Sequence, residues 1–226
     1  MNIWQFSDIA VAAAPKLLTA VDLIAVAVFA ITGALVASRK QMDIVGFIWL
    51  GTVTGVGGGT LRDLLLDAPV FWILDATPVV VCIVASVVVF FLAHLIQNRY
   101  RLILWLDAVG LALFTVAGAN KALEVAASPV VAVTMGVISA TVGGVIRDIL
   151  GQEPSIILRR EIYVTASAIG ATIFVALQIT SLPLASTMAI AFLATFVVRG
   201  SALRFGWSLP DYKARPGRNV GPSDPP

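Results

Sequence analysis

Three observations predict an all-α polytopic membrane protein, with seven transmembrane helices arranged as two inverted three-helix repeats plus a seventh helix. The chain is 59% hydrophobic and 12% charged, which is too little polar surface to cover a soluble protein of 226 residues. Its apolar stretches are long enough for helices, since about 20 apolar residues cross the hydrocarbon layer. One long segment also recurs along the chain at a constant offset of 85 residues.

The repeat is clearest in two short motifs. GGTLRD at 58–63 returns as GGVIRD at 143–148, and the alignment runs without a gap from Asp22/Asp107 to Pro69/Pro154. Fourteen of the 48 aligned pairs are identical. Each copy contains three spans, an odd number, so the second copy enters the membrane in the opposite orientation and forms an inverted repeat.

The limits of the spans follow from the apolar stretches and from the prolines that begin three of them. Pro78, Pro129 and Pro183 lie at the starts of three spans, where a missing N–H costs no helical hydrogen bond. We expect spans at 17–37, 44–61, 77–96, 102–120, 129–146, 162–178 and 182–198. The predicted units are a lead at 1–16, a first repeat at 17–101, a second repeat at 102–181, a seventh helix at 182–200, and a disordered cytoplasmic tail at 201–226.

The distribution of lysine and arginine orients the chain. With the N-terminus outside, twelve basic residues fall inside and three outside, which predicts an outer N-terminus and a cytoplasmic C-terminus. The short chain has no evident organelle signal, so we expect the prokaryotic cell membrane. A net charge of +2 suggests no nucleic-acid partner. Cys82 is expected to be a small core residue, and His94 an interfacial or packing residue rather than a metal ligand.

Glycines are crowded into spans 2 and 5. Because each costs a helix about 1 kcal/mol relative to alanine, the clusters predict a kink or break, which is tolerated in lipid only against protein or a water-filled cavity. We favour a pathway here over the alternative, close helix packing. The candidate pore or kink residues are Thr52, Gly55, Gly57, Gly58, Gly59 and Thr60 in span 2, and Gly136, Ser139, Thr141, Gly143 and Gly144 in span 5.

An Arg-Asp pair follows each glycine pair: Arg62-Asp63 and Arg147-Asp148. Adjacent helical residues point about 100° apart, so each charge is expected to need its own partner. Either the pairs mark ordinary helix ends with snorkelling arginines, or they face water or each other at depth. Apolar chain continues beyond both pairs, which favours a reentrant or kinked continuation.

Two further aspartates occupy equivalent positions. Asp22 is expected near the outer mouth and Asp107 near the inner mouth, either as helix caps or as charges that attract a cation. Lys121 replaces the equivalent Val36, with Glu124 three residues further on. This pair is either a local ion pair or a gating charge, and the sequence leaves both open.

These residues carry a family resemblance. Two tandem three-helix units, a glycine-rich second helix running into TLRD or VIRD, and a seventh helix make the chain similar to the prokaryotic trimeric intracellular cation (TRIC) channels, a family that includes sequences labelled as glycine transporters. The resemblance covers about residues 20 to 200. It implies a homotrimer with a pore in each subunit, lined by helices 2 and 5, that passes K⁺ and less selectively Na⁺. The lipid-contact motif of animal members is interrupted here, at 121–125.

The sequence therefore favours a passive monovalent-cation channel in the lipid bilayer, and the family resemblance implies K⁺ and Na⁺ as its permeant ions. The alternative is a secondary transporter of a small solute such as glycine, using the same helices for alternating access. An enzyme is a distant third hypothesis, because the chain contains no recognisable nucleophile-base pair, metal cluster or phosphate loop. We expect no cofactor and no tight structural metal site, only transiently bound K⁺.

Overall fold

The computed structural model describes residues 3–96, 98–153, 162–180 and 182–209, with side chains from residue 17 onward. Within these ranges the chain is helical, so the predicted all-α class is confirmed. The helices are α1 (Ile3–Arg39), α2 (Ile44–Leu65), α3 (Phe71–Leu74), α4 (Thr77–Leu92), α5 (Arg99–Glu124), α6 (Pro129–Leu150), α7 (Val164–Leu177) and α8 (Leu184–Phe205), with a 3₁₀ turn at Ala93–Leu95.

The predicted spans each correspond to a helix, but several boundaries differ. Six of the described helices are long and apolar enough to cross a membrane, whereas α7 is apolar but has 14 residues. The predicted tail begins too early, because α8 continues to Phe205 and stops at Gly206, whose φ of 68° is the left-handed conformation that glycine adopts easily. Residues 210–226, most of the predicted disordered tail, lie outside the described residues.

Local sequence explains several helix starts. The Asp43 carboxylate caps α2 by accepting from the Gly46 amide at 2.7 Å, and Ser128 caps α6 in the same way through the Val131 amide. Pro78 and Pro129 lie in the first turns of α4 and α6, as predicted.

Helix contacts follow the internal repeat. Helices α1, α2 and α4 pack on one another, and so do their counterparts α5, α6 and α7. The two units meet where α1 packs on α5 and where α2 packs on α6, while α8 packs mainly on α5 and α7. The Phe29 and Phe114 rings, 85 positions apart, lie 5.2 Å from each other in the core between the units.

The close backbone approaches repeat as well. A Cβ added at Gly33 would lie 2.6 Å from the Leu50 carbonyl oxygen, and one added at Gly118 would lie 2.8 Å from the Met135 carbonyl oxygen. Both partners are related by the offset of 85, so the first two helices of each unit cross at equivalent points. The two copies therefore share packing geometry as well as sequence.

Candidate functional site

Helices α2 and α6 cross where the glycine motifs meet. The Gly58 Cα faces the Ser139 carbonyl so closely that a Cβ there would overlap the oxygen, and a Cβ at Gly143 would lie 2.6 Å from the Thr54 carbonyl oxygen. These contacts are equivalent under the offset of 85. The motif thus lets two backbones touch at the boundary between the units.

The break predicted at the glycines is wrong. Helices α2 and α6 are each uninterrupted, because neighbouring helices fill the space that the missing side chains leave. Gly55 lies against Cys82 and the Val26 carbonyl, and Gly136 lies against the Thr115 carbonyl. Gly55 and Gly136 therefore serve close helix packing within each unit. Their contacts do not support a pore-lining role.

The other candidate residues of α2 and α6 have varied environments. The Thr60 hydroxyl donates to the Val56 carbonyl at 2.7 Å and accepts from the Trp72 indole at 2.8 Å, while Thr141 donates to the Val137 carbonyl. Thr52 and Ser139 have buried hydroxyls without a hydrogen-bond partner in the described structure. The three other glycines each face a side chain: Gly57 faces Ile146, Gly59 faces Phe71, and Gly144 faces the Tyr163 hydroxyl.

Arg147 is the centre of a buried polar cluster. Its side chain is 1% exposed, and its guanidinium donates to Asp107 Oδ1 at 2.7 Å, to Asp148 Oδ1 at 2.9 and 3.0 Å and to the Thr32 hydroxyl at 3.0 Å. These partners come from α5, α6 and α1. The cluster therefore joins both units at one end of the molecule.

Arg62 occupies the equivalent position at the other end, with fewer partners. Its guanidinium donates to Asp63 Oδ1 at 2.8 Å, and the Phe71 amide donates to Asp63 Oδ2 at 3.0 Å. The second contact fixes α3 against the end of α2. After Arg62-Asp63 the apolar chain does therefore fold back on the helix, in the form of the short helix α3. The corresponding continuation after Arg147-Asp148, at 154–161, lies outside the described residues.

One expectation about these charges is wrong, and in two further cases one of the two open alternatives is excluded. Each arginine pairs with its neighbouring aspartate, because the long guanidinium side chain folds back across the 100° that separates adjacent residues. Neither arginine snorkels, since both side chains are buried. Asp22 and Asp107 do not cap helices, because both lie in the interiors of α1 and α5.

A cavity of about 630 Å³ opens beside Arg62, and we call it the vestibule. It lies between α1, α2 and α5, with contributions from α3 and the ends of α7 and α8. Its polar lining consists of Thr19, Asp22, Arg62, Asn120, Lys121, Glu124 and Gln178.

Asp22 is the carboxylate of the vestibule that remains unpaired. Its Oδ1 atom is buried and accepts no hydrogen bond, and no described cation lies within 4 Å of the carboxylate. Lys121 pairs with Glu124 at 3.4 Å, and Glu124 also accepts from the Asn120 amide at 2.8 Å. The local ion pair, one of the two alternatives left open for Lys121, is therefore present at the edge of the vestibule.

The equivalent space at the other end is filled. Asp107, the counterpart of Asp22, is fully buried in its ion pair with Arg147. Thr32 reaches Arg147, whereas its counterpart Ala117 lines the vestibule. The counterparts of the vestibule residues Asn120 and Lys121 are Leu35 and Val36, and both are buried. Asp107 is thus part of a closed polar cluster rather than a free charge at a mouth.

Sequence reasoning missed Thr32 and Tyr163. The Tyr163 ring lies under the Arg199 guanidinium at 5.2 Å, and its hydroxyl faces Gly144 beside Asp107. Thr32 gives a signal once the copies are aligned, because it is a hydroxyl that the other copy lacks. Tyr163 lies beyond the aligned segment and gives none.

Comparison with protein families places the repeat in a wider group. The family model described as Glycine transporter matches residues 19–94 and again residues 104–178, two matches that begin 85 residues apart. The UPF0126 inner membrane protein YadS of Escherichia coli strain K12 is 44% identical over 197 residues, which cover 84% of this chain and 94% of that protein. A UPF0126 membrane protein of Vibrio cholerae is 37% identical, over 87% and 83% of the two chains.

Solved structures match over most of the chain. The TRIC trimeric intracellular cation channel orthologue from Rhodobacter sphaeroides is 51% identical with a TM-score of 0.83, and the match covers 85% of this chain and all of that one. A second structure, described for conductance through TRIC cation channels, is 34% identical with a TM-score of 0.78, over 88% and 98% of the two chains. These neighbours are channels rather than enzymes.

Proposed function

The chain belongs to the family that the Glycine transporter model describes and that includes the TRIC cation channels, and we propose that it is a monovalent cation channel which passes K⁺ and, less selectively, Na⁺. Each subunit of a homotrimer would contain its own pathway, beside the crossing of α2 and α6. The chain is a multi-pass inner-membrane protein, as its relatives are named. An outer N-terminus and a cytoplasmic C-terminus complete the proposal.

The charge balance of the vestibule carries this proposal. Arg62 is neutralised by Asp63, and Lys121 by Glu124, so the cavity carries a net negative charge whenever the Asp22 carboxylate is ionised. A negative, partly enclosed cavity concentrates cations, because low-dielectric walls focus its field. Threonine, asparagine and glutamine oxygens at the same wall suit a partly hydrated monovalent cation.

The filled space around Arg147, at the end opposite the vestibule, supports a gated pathway rather than a permanently open one. Arg147, Asp107 and Thr32 occupy the space that corresponds to the vestibule, together with Leu35 and Val36. The positive charge of the Arg147 guanidinium and the apolar side chains of Leu35 and Val36 oppose the passage of cations at this point. Permeation therefore requires the Arg147 cluster to move, and the described arrangement corresponds to a pathway open to one side.

A second function, transport of a small amino acid, is favoured by one observation. The vestibule contains both a carboxylate, Asp22, and the cations Arg62 and Lys121, which are the charges that a zwitterion such as glycine requires. Both cations already have carboxylate partners, so the cavity offers a stronger site for an ammonium group than for a carboxylate. This balance makes the channel the better supported function.

Planar-bilayer recording of the purified protein separates the two functions. We expect unitary currents that follow the K⁺ gradient in the absence of any organic solute. Absence of such currents, together with saturable glycine uptake that shows counterflow in vesicles, would replace the channel with the transporter.

Substitution of Asp22 tests the role of the vestibule charge. We expect Asp22→Asn to lower K⁺ conductance at 0.1 M salt by up to about fivefold, because a unit charge about 4 Å from a cation is worth about 1 kcal/mol in water. The difference should nearly vanish at 1 M salt, where the Debye length falls to about 3 Å. Asp75→Asn is the matched control, since Asp75 is exposed in the loop after α3 and does not line the vestibule. An equal loss in both variants, or a loss independent of salt, would contradict the proposal.

A further inference from the structure

A separate cleft of about 320 Å³ lies between the start of α5 and the end of α8. Its apolar wall is formed by Leu104, Trp105 and Leu203. The Trp105 ring packs against Gly200 and lies 6.2 Å from the Phe196 ring, so this wall is held by both helices. The cleft shares no residue with the vestibule.

Two arginines stand at the edge of this cleft. Arg101 projects from the first turn of α5 and Arg204 from the last turn of α8, and both side chains are exposed. Within the part of the chain that the structure describes, neither guanidinium has a carboxylate partner or a hydrogen bond. Other arginines at this end are engaged: Arg39 contacts Glu153 and the Tyr100 ring, and Arg99 donates to the Ala93 carbonyl.

The position of the cleft in the membrane follows from its helices. Arg99–Glu124 and Leu184–Phe205 are both membrane-spanning segments, so the first turn of one and the last turn of the other meet at the same bilayer surface. Tryptophan prefers this depth because its ring is amphipathic. The cleft thus presents cations to the headgroup layer and an apolar wall to the acyl chains.

We propose that the cleft between α5 and α8 binds an anionic phospholipid, with its phosphate between Arg101 and Arg204 and its proximal acyl chain along Leu104, Trp105 and Leu203. Two guanidiniums without a carboxylate partner complement a phosphodiester, to which arginine donates in bidentate geometry. A zwitterionic lipid fits less well, because its ammonium group would approach two cations. The site is independent of what passes through the vestibule.

Fluorescence quenching by brominated lipids tests the site on the full-length protein in vesicles. Dibromo-phosphatidylglycerol is titrated into vesicles of unbrominated phosphatidylcholine, and dibromo-phosphatidylcholine serves as the neutral comparison. The quenching that disappears in Trp105→Phe belongs to Trp105. We expect wild-type Trp105 to be half quenched at a lower fraction of brominated phosphatidylglycerol than of brominated phosphatidylcholine.

Variants then assign the preference to the cleft. Arg101→Gln and Arg204→Gln should each raise the half-quenching fraction of phosphatidylglycerol about fivefold, since a basic residue near an anionic surface contributes about 1 kcal/mol. Arg39→Gln removes the same charge from the same end outside the cleft, and should leave the titration unchanged.

Two outcomes would overturn the proposal. Equal quenching of wild-type Trp105 by the two lipids would exclude headgroup recognition, and this comparison needs only Trp105→Phe, in which one aromatic ring replaces another. An equal shift in Arg39→Gln and Arg101→Gln would show general attraction of the basic surface for anionic lipid, without a site in the cleft.

Discussion

The two aspartates related by the repeat should differ in how the same substitution changes the stability of the folded protein. Asp107→Asn removes the charge that faces Arg147 at 2.7 Å in a buried cluster, whereas Asp22→Asn removes a charge that has no cation partner among the described residues. We expect Asp107→Asn to destabilise the folded protein and Asp22→Asn to leave its stability nearly unchanged. The chemical change is identical, so the pair forms its own control.

The size of the destabilisation expected for Asp107→Asn follows from the burial of the ion pair and from the partners that Arg147 retains. Breaking a buried ion pair by removing one partner typically costs about 3 to 5 kcal/mol, because the other charge stays buried without compensation. Arg147 retains Asp148 and the Thr32 hydroxyl, which places the expected cost near the lower limit, about 3 kcal/mol. That loss lowers the ratio of folded to unfolded protein by about a hundredfold.

Denaturant unfolding of the detergent-solubilised protein measures the difference, with the retained secondary structure as the signal. The midpoint of Asp107→Asn should lie clearly below that of the wild type, and the midpoint of Asp22→Asn should lie close to it. Arg147→Lys should fall between them, because lysine keeps the charge but loses the multiple donors of the guanidinium. Equal midpoints for the two asparagine variants would refute the assignment of Asp107 to a stabilising buried pair.

Two further predictions concern the helix crossing and a helix start. Gly58→Ala should destabilise the protein by about 1 to 3 kcal/mol in the same unfolding assay, because the new Cβ overlaps a backbone carbonyl. Gly57→Ala should be neutral or stabilising, since its Cβ would lie 3.1 Å from the flexible tip of Ile146 and 4.0 Å from the Gly143 Cα, an ordinary contact distance. Equal effects of the two substitutions would contradict the crossing. The Thr77 hydroxyl and amide donate to Asp75 and hold its pKa below the ordinary value, a contribution to stability that is present above the ordinary pKa and is lost as pH falls through the folded-state pKa. Thr77→Val should raise the pKa of Asp75 in an NMR titration, and an unchanged pKa would show that the hydroxyl has no part in the shift.

The repeat predicted most of the fold because packing positions recur with it. Gly58 and Gly143 were identified from sequence as equivalent, and the structure brings both to the crossing of α2 and α6. Intrinsic helix propensity predicts a broken helix at these glycines, and this prediction is wrong. In the folded protein the backbone of the partner helix fills the space above each glycine. The stabilisation from this packing outweighs the loss of helix propensity, about 1 kcal/mol per glycine.

The charges show where sequence reasoning is insufficient. Spacing along one helix placed Arg147 and Asp148 on different faces, but it could not show how far a guanidinium reaches or which helix supplies a second acceptor. Asp107 lies 40 residues before Arg147, and Thr32 lies 115 residues before it. The Asp107 contact depends on how α5 and α6 pack within one unit, and the Thr32 contact on how the two units pack against each other; the offset of 85 specifies neither.

The differences between the copies are therefore as informative as the identities. A perfectly symmetric duplication would give both ends the same occupancy, because equivalent side chains would meet equivalent neighbours. Here the substitution of Thr32 by Ala117 removes an acceptor, and the substitution of Val36 by Lys121 replaces an apolar plug with a charge at the rim. Both changes favour an open cavity beside Arg62 and a filled one beside Arg147. The difference between an open cavity at one end and a filled space at the other thus follows from a few exchanges on α1 and α5, while the glycine crossing that both ends share stays intact.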